Sequence, residues 1–225
     1  MQHWFDGLGM LHKFHMDGGE IWYSSRYTSE GIAKKAKADG SVKTTFFGNN
    51  ANEPLKSTQD PCSAVLGSSQ SLYVASTPPQ PDEVIVNVTP RRGMHLPSNS
   101  GSSGDTVANP EHEEIVNHTD WNLLQVCDAK TLEPKRLLTY ADIDAGLAGY
   151  GICAHPPKDR KRGMTFNYII SEQGSMAIFA LNIKSKPTKL VWKTALPCDP
   201  CYIHSLAMTD KFVIFVSNVS IRAHC

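Results

Sequence analysis

Residues 164–183 read MTFNYIISEQGSMAIFALNI, and this stretch decides the fold class. Two apolar runs, Met164 to Ser171 and Met176 to Ile183, lie on either side of the turn-forming residues Glu172-Gln173-Gly174. Short apolar runs that are rich in β-branched and aromatic side chains and bounded by turn residues are typical of buried strands. The stretch therefore predicts two neighbouring strands of one sheet.

The same pattern extends over the C-terminal half of the chain. Further apolar runs, separated by turn formers, lie at residues 115–118, 122–127, 136–140, 151–155, 190–196, 202–208 and 212–217. Many short strands at a spacing of roughly 8–12 residues are typical of antiparallel sandwiches, barrels and propellers. We expect an all-β fold with almost no helix in this part. Asp128-x-x-Thr131-Leu132, which follows one of the runs, has the form of a turn in a propeller blade.

The N-terminal part of the chain predicts a hairpin and one helix. Leu11 to Met16 and Ile21 to Arg26 are joined through Asp17-Gly18-Gly19, a pattern that indicates a β-hairpin. Residues 30–40 (EGIAKKAKADG) predict a short, solvated helix that stops at its final glycine.

Connecting segments dominate between residues 46 and 104. Only Ser71 to Ala75 and Val84 to Thr89 have the composition of strands in this region. Residues 97–110 begin with a Ser/Gly-rich run, which predicts a flexible surface loop.

Composition excludes some classes of partner. The 225 residues carry 22 basic and 22 acidic side chains, so the formal net charge is zero and there is no overall field to attract nucleic acid. The sequence has no run of about 18 or more apolar residues and no secretory signal pattern. We therefore expect an intracellular protein, cytoplasmic in location, whose six scattered cysteines are free thiols.

One pair of cysteines has the spacing of a metal or redox motif. Cys198-Asp199-Pro200-Cys201 could be half of a zinc site, but no second Cys-x-x-Cys or His-x-x-x-His follows it. A redox pair is expected at a strand-to-helix turn, whereas this one precedes an apolar run. We interpret it as a loop that holds two cysteines, and zinc binding remains a weaker alternative.

Two histidines lie inside separate strand-like stretches and are candidate metal ligands. They are His155, in Ala154-His155-Pro156, and His204, in Tyr202-Ile203-His204-Ser205. Imidazole suits iron, copper, zinc and nickel. An isolated strand histidine more often packs and satisfies a backbone carbonyl, so the residues alone leave both interpretations open. The other histidines predict surface or loop positions: His3, His12, His15, His95, His112, His118 and His224.

Three separated segments resemble the carotenoid cleavage oxygenase family, which also includes retinal-pigment-epithelium isomerases and stilbene-cleaving enzymes. The sequence of residues 27–96 is most similar to that of fungal members. The three segments are in family order, and they are residues 3–14 (HWFDGLGMLHKF) leading into Ser25-Arg26-Tyr27, residues 119–134 continuing to Ala154-His155-Pro156, and residues 202–209 (YIHSLAMT).

This resemblance implies a fold and a metal site. Family members form a seven-bladed β-propeller with a ferrous ion on its axis, held by four histidines from four blades. His155 matches the first ligand and His204 the second, while Asp120, in Thr119-Asp120-Trp121-Asn122, stands where the family has a glutamate that supports a ligand histidine. An Asp in a strand-end turn is equally a turn former. The other two ligand positions lie beyond residue 225.

The resemblance also implies a function. We expect an Fe(II)-dependent dioxygenase that uses O2 to cleave a carbon–carbon double bond of a carotenoid, apocarotenoid or stilbene, with peripheral membrane contact in the full-length family. We expect residues 1–225 to be a single partial propeller domain, about half of the ring and truncated at both ends. The alternative is a catalytically inactive propeller fragment or interaction module that lacks half of the iron site.

Overall fold

The computed structural model describes residues 7–40, 79–97 and 113–216. Within these residues the chain forms twelve strands, one α-helix and two short 3-10 helices, so the predicted all-β class is confirmed. The strand predicted at Ser71 to Ala75 and most of the loop predicted at residues 97–110 lie outside the described residues. Phe5-Asp6, His3, His112 and His224 lie outside them as well.

The N-terminal hairpin is formed as predicted. Strands β1 (Met10–Asp17) and β2 (Glu20–Tyr27) pair antiparallel from Met10 opposite Tyr27 to Asp17 opposite Glu20. The two residues between them, Gly18 and Gly19, have φ of 55° and 85°. A two-residue hairpin turn of this kind needs positive φ at both positions, which glycine adopts without a steric penalty.

Helix α1 (Glu30–Asp39) also confirms its prediction, and it ends at Gly40 in the left-handed conformation with φ of 67°. Gly31 packs so close to Asp82 and Glu83 that an added Cβ would lie 2.8 Å from both side chains. Glycine therefore allows the helix to rest on the segment before the first large sheet. Among the described residues, no helix combines the length and the apolar character needed to cross a bilayer.

Two four-stranded antiparallel sheets follow, each with its strands in consecutive order. Sheet I consists of β3 (Thr89–Arg91), β4 (Glu114–His118), β5 (Leu124–Asp128) and β6 (Pro134–Leu138). Sheet II consists of β7 (Lys158–Asp159), β8 (Met164–Ile170), β9 (Met176–Asn182) and β10 (Lys189–Ala195). A short pair, β11 (Ala207–Met208) and β12 (Val213–Ile214), ends the described chain.

The stretch at residues 164–183 forms the centre of sheet II, as its pattern predicts. Strands β8 and β9 pair in register from Met164 opposite Asn182 to Ile170 opposite Met176. Both faces of this ladder are buried. Ile169 and Phe179 pack toward sheet I, whereas Tyr168 and Ile170 pack against the segment that carries residues 203–206. A strand buried on both faces reads as a continuous apolar run, which is what the sequence shows.

The turn between β5 and β6 has the predicted form. The Asp128 carboxylate accepts hydrogen bonds from the backbone N–H groups of Lys130 and Thr131, at 2.9 and 2.6 Å. Leu132 follows with φ of 62°, which is uncommon for a residue other than glycine. The aspartate thus closes a turn that would otherwise leave donors without partners.

The strand predicted at Val84 to Thr89 is wrong except for its last residue. Val84 and Val86 are buried, so the alternation of side chains is real. The Val84 carbonyl, however, accepts from the Ser29 side chain (Oγ, 2.8 Å) instead of from a neighbouring strand. The ladder begins only where Thr89 pairs with His118.

The prediction that the histidine segments, residues 151–155 and 202–208, are strands is also wrong, except that Ala207 and Met208 form β11. Residues 151–155 and 202–206 make only isolated bridges, of which the pair His155–Ser205 is parallel. Gly149, just before the first segment, has φ of 152°, and an added Cβ there would lie 2.2 Å from the Ile170 carbonyl oxygen. Glycine therefore allows the chain to pass close to the end of β8 at this point.

Candidate metal centre

Side chains of β8 hold the segment that carries His155. The Cys153 N–H donates to Asn167 Oδ1 at 2.9 Å, and Asn167 Nδ2 donates to the Cys153 carbonyl at 3.2 Å. Asn167 is 1% exposed. One amide side chain thus satisfies both backbone groups of Cys153, which a ladder would otherwise have to do.

The next residue of the same strand holds the segment that carries His204. The Tyr168 hydroxyl accepts from the Ile203 N–H at 3.1 Å. The two segments then join, because the His155 N–H donates to the His204 carbonyl at 3.3 Å and the Cys153 thiol donates to the same oxygen at 3.2 Å. Adjacent residues of β8 face opposite sides of the sheet, and each anchors one histidine segment.

The two imidazoles meet through their Nε2 atoms. His155 Nε2 lies 3.1 Å from His204 Nε2, and the ring centroids are 4.7 Å apart with an interplanar angle of 74°. Two nitrogens bound at right angles to one ion, each at about 2.1 Å, would be separated by roughly 3 Å. The observed separation therefore fits a pair of ligands on one metal ion.

The other nitrogen of each ring is already used by the protein. His155 Nδ1 lies 2.7 Å from Thr89 Oγ1. His204 Nδ1 lies 3.0 Å from Asp120 Oδ1 and 2.9 Å from the Tyr202 hydroxyl. Metal-binding histidines usually donate their second N–H to such partners, which fixes the tautomer and the ring direction. The two Nε2 atoms therefore face each other, as two ligands of one metal ion would.

The Asp120 side chain, although shorter than that of glutamate, reaches the His204 imidazole. Asp120 is 2% exposed. Burial raises the pKa of Asp120, while hydrogen bonds from His204, Tyr202 and the Ala154 backbone N–H lower it in part. These three donors stabilise the ionised form in an otherwise apolar place. Asp120 is thus a supporting residue in its contacts as well as part of a turn.

Burial lowers the pKa of His155, and the nearby His204 and Arg91 lower it further. The neutral imidazole, which is the form that binds a metal, is therefore favoured.

The interpretation of His118 as a surface or loop residue is wrong. His118 lies in β4, is 1% exposed, and its Nδ1 is 3.2 Å from the Val116 carbonyl oxygen. Burial, together with the charge of Arg91, lowers the pKa of His118 to about 4. His95 is in a connecting segment as predicted but is 7% exposed, whereas His12 and His15 are exposed.

Several residues of the centre carry no sequence signal of their own. Thr89, Asn167 and Tyr168 act through single hydrogen bonds across long sequence separations, which periodicity does not reveal. Tyr202 lies two residues before His204 inside a motif that the sequence already marked.

The described part of the chain contains no group of three or more His, Cys, Asp or Glu side chains placed to hold one metal ion. His155 and His204 are therefore two candidate ligands, and their role as iron ligands stays a prediction. Cys198 is exposed, Cys201 is half-buried, and both are free thiols, as are the buried Cys127 and Cys153.

The fold and the centre define an all-β protein in which two consecutive sheets direct a pair of imidazoles to one point. The sequence model of the retinal pigment epithelial membrane protein family matches residues 1–222. The chain belongs to this family, which confirms the resemblance found in its motifs.

Fungal proteins are among its similar relatives. A carotenoid dioxygenase of Neurospora crassa is 26% identical over 239 residues, which cover 95% of this chain and 38% of the relative. A torulene dioxygenase of Fusarium fujikuroi is 25% identical, with 94% of this chain and 37% of the relative covered. The chain thus spans less than two-fifths of the length of these relatives.

Solved structures support the fold. A variant of the Synechocystis apocarotenoid oxygenase superposes with a TM-score of 0.57 at 17% identity, covering 96% of this chain and 39% of that one. This likeness concerns the arrangement of sheets.

Proposed function

We propose that the chain is part of an Fe(II)-dependent oxygenase that cleaves a carbon–carbon double bond of a carotenoid, apocarotenoid or stilbene with O2. Family membership supports the reaction class. The observation that carries the proposal for this chain is the 3.1 Å approach of His155 Nε2 to His204 Nε2, with both Nδ1 atoms occupied by other partners.

We also propose that sheets I and II are two blades of a seven-bladed propeller. Each is a four-stranded antiparallel meander, which is the usual form of a blade. Placement of His155 and His204 next to successive sheets suits a ring in which each ligand comes from a different blade. The rest of the ring would lie in polypeptide beyond these residues.

In this proposal, side chains of this chain hold the two imidazole rings in position. Thr89 and Asp120 fix the planes of the two imidazoles, and the burial of Asp120 keeps water from competing for its hydrogen bonds. Neutral imidazoles leave other coordination positions open to small ligands. Ferrous iron bound here would supply the activation of O2.

Metal-free and metal-bound protein should differ in the tautomer of His155. Without an ion, one Nε2 must carry a proton and donate to the other, because two lone pairs 3.1 Å apart repel each other. With an ion, the Nε2 atom that carries the proton must lose it, so that proton moves to the Nδ1 atom of the same ring. Nitrogen-15 spectra of histidine-labelled protein, recorded before and after addition of Zn(II) as a diamagnetic probe, measure this change.

The main experiment is anaerobic reconstitution with ferrous salt followed by iron analysis, then incubation with β-carotene and O2. We expect bound iron in the wild-type chain and its loss in His155→Ala and His204→Ala. His12→Ala is the matched control, because His12 is exposed in the hairpin. If the two site variants retain as much iron as the control, the proposed centre is wrong.

A second arm tests the support of His204. Asp120→Asn keeps the size of the side chain but removes its charge, and we expect the affinity for Zn(II) to fall about 10–100-fold, as for other supporting carboxylates of metal-bound histidines. Unchanged affinity would assign Asp120 to the turn alone.

The second candidate function is a non-catalytic propeller piece that acts as an interaction module. The observation in its favour is that the described residues bring together two histidines but no third metal-binding side chain. It predicts a folded protein with no stoichiometric iron and no cleavage of β-carotene, whereas a chain that binds iron argues against it.

A further inference from the structure

Arg91 lies on the same side of β3 as a residue of the histidine centre. Alternate residues of a strand share a face, so the side chains of Thr89 and Arg91 leave β3 in the same direction. Thr89 contacts His155 from this face. Arg91 therefore lies two residues along β3 from Thr89, on the face that contacts His155.

The hydrogen bonds of the Arg91 guanidinium are incomplete. Arg91 is half-buried, and its Nε is buried without a hydrogen bond. The buried carboxylates nearby in sequence or in the sheets are already engaged. Asp120 accepts from His204, Glu114 forms a two-bond pair with Arg136, and Asp159 pairs with Arg162.

The groups that experience the charge of Arg91 are all neutral in their ordinary forms. Arg91 lowers the pKa of His118 and of His155, and it also acts on Tyr140 and Cys153. Burial in turn lowers the pKa of Arg91 itself. A partly desolvated cation that pairs with no carboxylate in the described part of the chain is costly, since buried charges are normally paired.

The charge nevertheless persists, because arginine stays protonated in proteins. The planar guanidinium matches a carboxylate with two parallel hydrogen bonds. Arg91 is only half-buried, so a solute can reach it.

We propose that Arg91 binds the carboxylate group of a ligand that occupies the space beside the His155–His204 pair. The carboxylate supplies a counter-charge that the described carboxylates do not provide, and it accepts from the part of the guanidinium that solvent reaches. This proposal does not depend on iron, and it holds for a small carboxylate from solution as well as for the carboxylate end of an apolar polyene.

The test compares ligands that differ only in the anionic group. The metal-free 225-residue chain is titrated with retinoate, retinol and acetate, with sodium chloride at equal ionic strength as the blank, and binding is followed by tryptophan fluorescence and by the thermal midpoint. We expect retinoate to bind at least about tenfold more tightly than retinol, since a hydrogen bond to a charged group has this magnitude.

The variants identify the residue. Arg91→Gln should abolish the preference for retinoate over retinol, and Arg91→Lys should retain part of it because the charge remains without the planar fork. Arg92→Gln is the matched control, since Arg92 is the exposed neighbour and should behave as wild type. Circular dichroism verifies that each variant is folded.

Each outcome either supports or overturns the binding of a carboxylate by Arg91. Stabilisation by acetate that Arg91→Gln removes supports the proposal with a small carboxylate as ligand, and a preference for retinoate without any effect of acetate supports it with a polyene carboxylate. Equal binding of retinoate and retinol together with no effect of acetate overturns it, as does any carboxylate preference that Arg91→Gln leaves intact. Neither result bears on iron binding.

Discussion

The β8–β9 ladder and the two histidine segments lie side by side but are held in different ways. The ladder has seven residue pairs in unbroken register, and its side chains are buried on both faces. Residues 151–155 and 202–206 have only isolated bridges, and the side chains of Asn167 and Tyr168 bond to the backbone of one residue in each segment. Buried apolar surface stabilises the ladder, whereas the histidine segments depend on a few individual hydrogen bonds.

This difference implies that a histidine segment can open without the ladder, but that the ladder cannot unfold without the segments. Loss of apolar contact should unfold both, because the segments rest on the ladder. Loss of a single hydrogen bond should release a histidine segment and leave the ladder intact. The following substitutions test this, from the largest expected effect to the smallest.

Phe179→Ala should have the largest effect. Phe179 is fully buried between the sheets, where its ring meets Tyr140 at 5.1 Å between centroids. Truncation of a buried phenylalanine costs about 3–5 kcal/mol, and we expect the ladder and the histidine segments to be lost together in urea unfolding. Val191→Ala, at a residue 52% exposed, is the control and should change stability by less than about 0.5 kcal/mol. A midpoint shift no larger than that of the control would contradict a common core.

Asn167→Leu should separate the two regions. Leucine is of similar size but leaves the Cys153 N–H and carbonyl without partners, which costs about 1–3 kcal/mol for each group. We expect the Cys153 amide to exchange its hydrogen much faster while the amides of β9 stay protected. Uniform acceleration across β9 would show that the segment and the ladder open as one unit.

Tyr168→Phe should act on the second segment alone. The ring stays in place, but the hydroxyl that accepts from the Ile203 N–H is lost, and we expect a cost of about 1–2 kcal/mol. Faster exchange at Ile203, without change at Cys153, measures the effect. Tyr27→Phe is the control, because Tyr27 is 52% exposed and should be nearly neutral. If both variants behave alike, the hydroxyl does not anchor the segment.

Asp128→Asn should have the smallest effect, and one that depends on pH. Hydrogen bonds from Thr131 lower the pKa of Asp128 in the folded state. Its stabilisation is therefore complete above the unfolded-state pKa of about 3.9 and is lost as pH falls through the lower folded-state value. We expect a difference from wild type below about 1 kcal/mol at neutral pH, because the side chain is near solvent. This difference should shrink at low pH in thermal melts, and a constant difference would exclude the charge as its source.

The same contrast explains what the sequence could predict. Apolar runs and turn residues are local signals, so the hairpin, the helix and sheet II follow from the pattern. The contacts of the centre are not local. Asp120 meets His204 across 84 positions, and Thr89 meets His155 across 66. Motif resemblance marked His155, His204 and Asp120, but their irregular backbone depends on Asn167 and Tyr168, which read as ordinary members of an apolar run.

The pleat of β8 has a consequence for how this part of the sequence can vary. Asn167 and Tyr168 are adjacent, yet they serve opposite faces of sheet II. Insertion or deletion of one residue in β8 before Asn167 would exchange the two faces and remove both anchors at once. A single substitution removes at most one anchor, so the length of this strand should be more constrained than any one of its side chains wherever the paired histidines are retained.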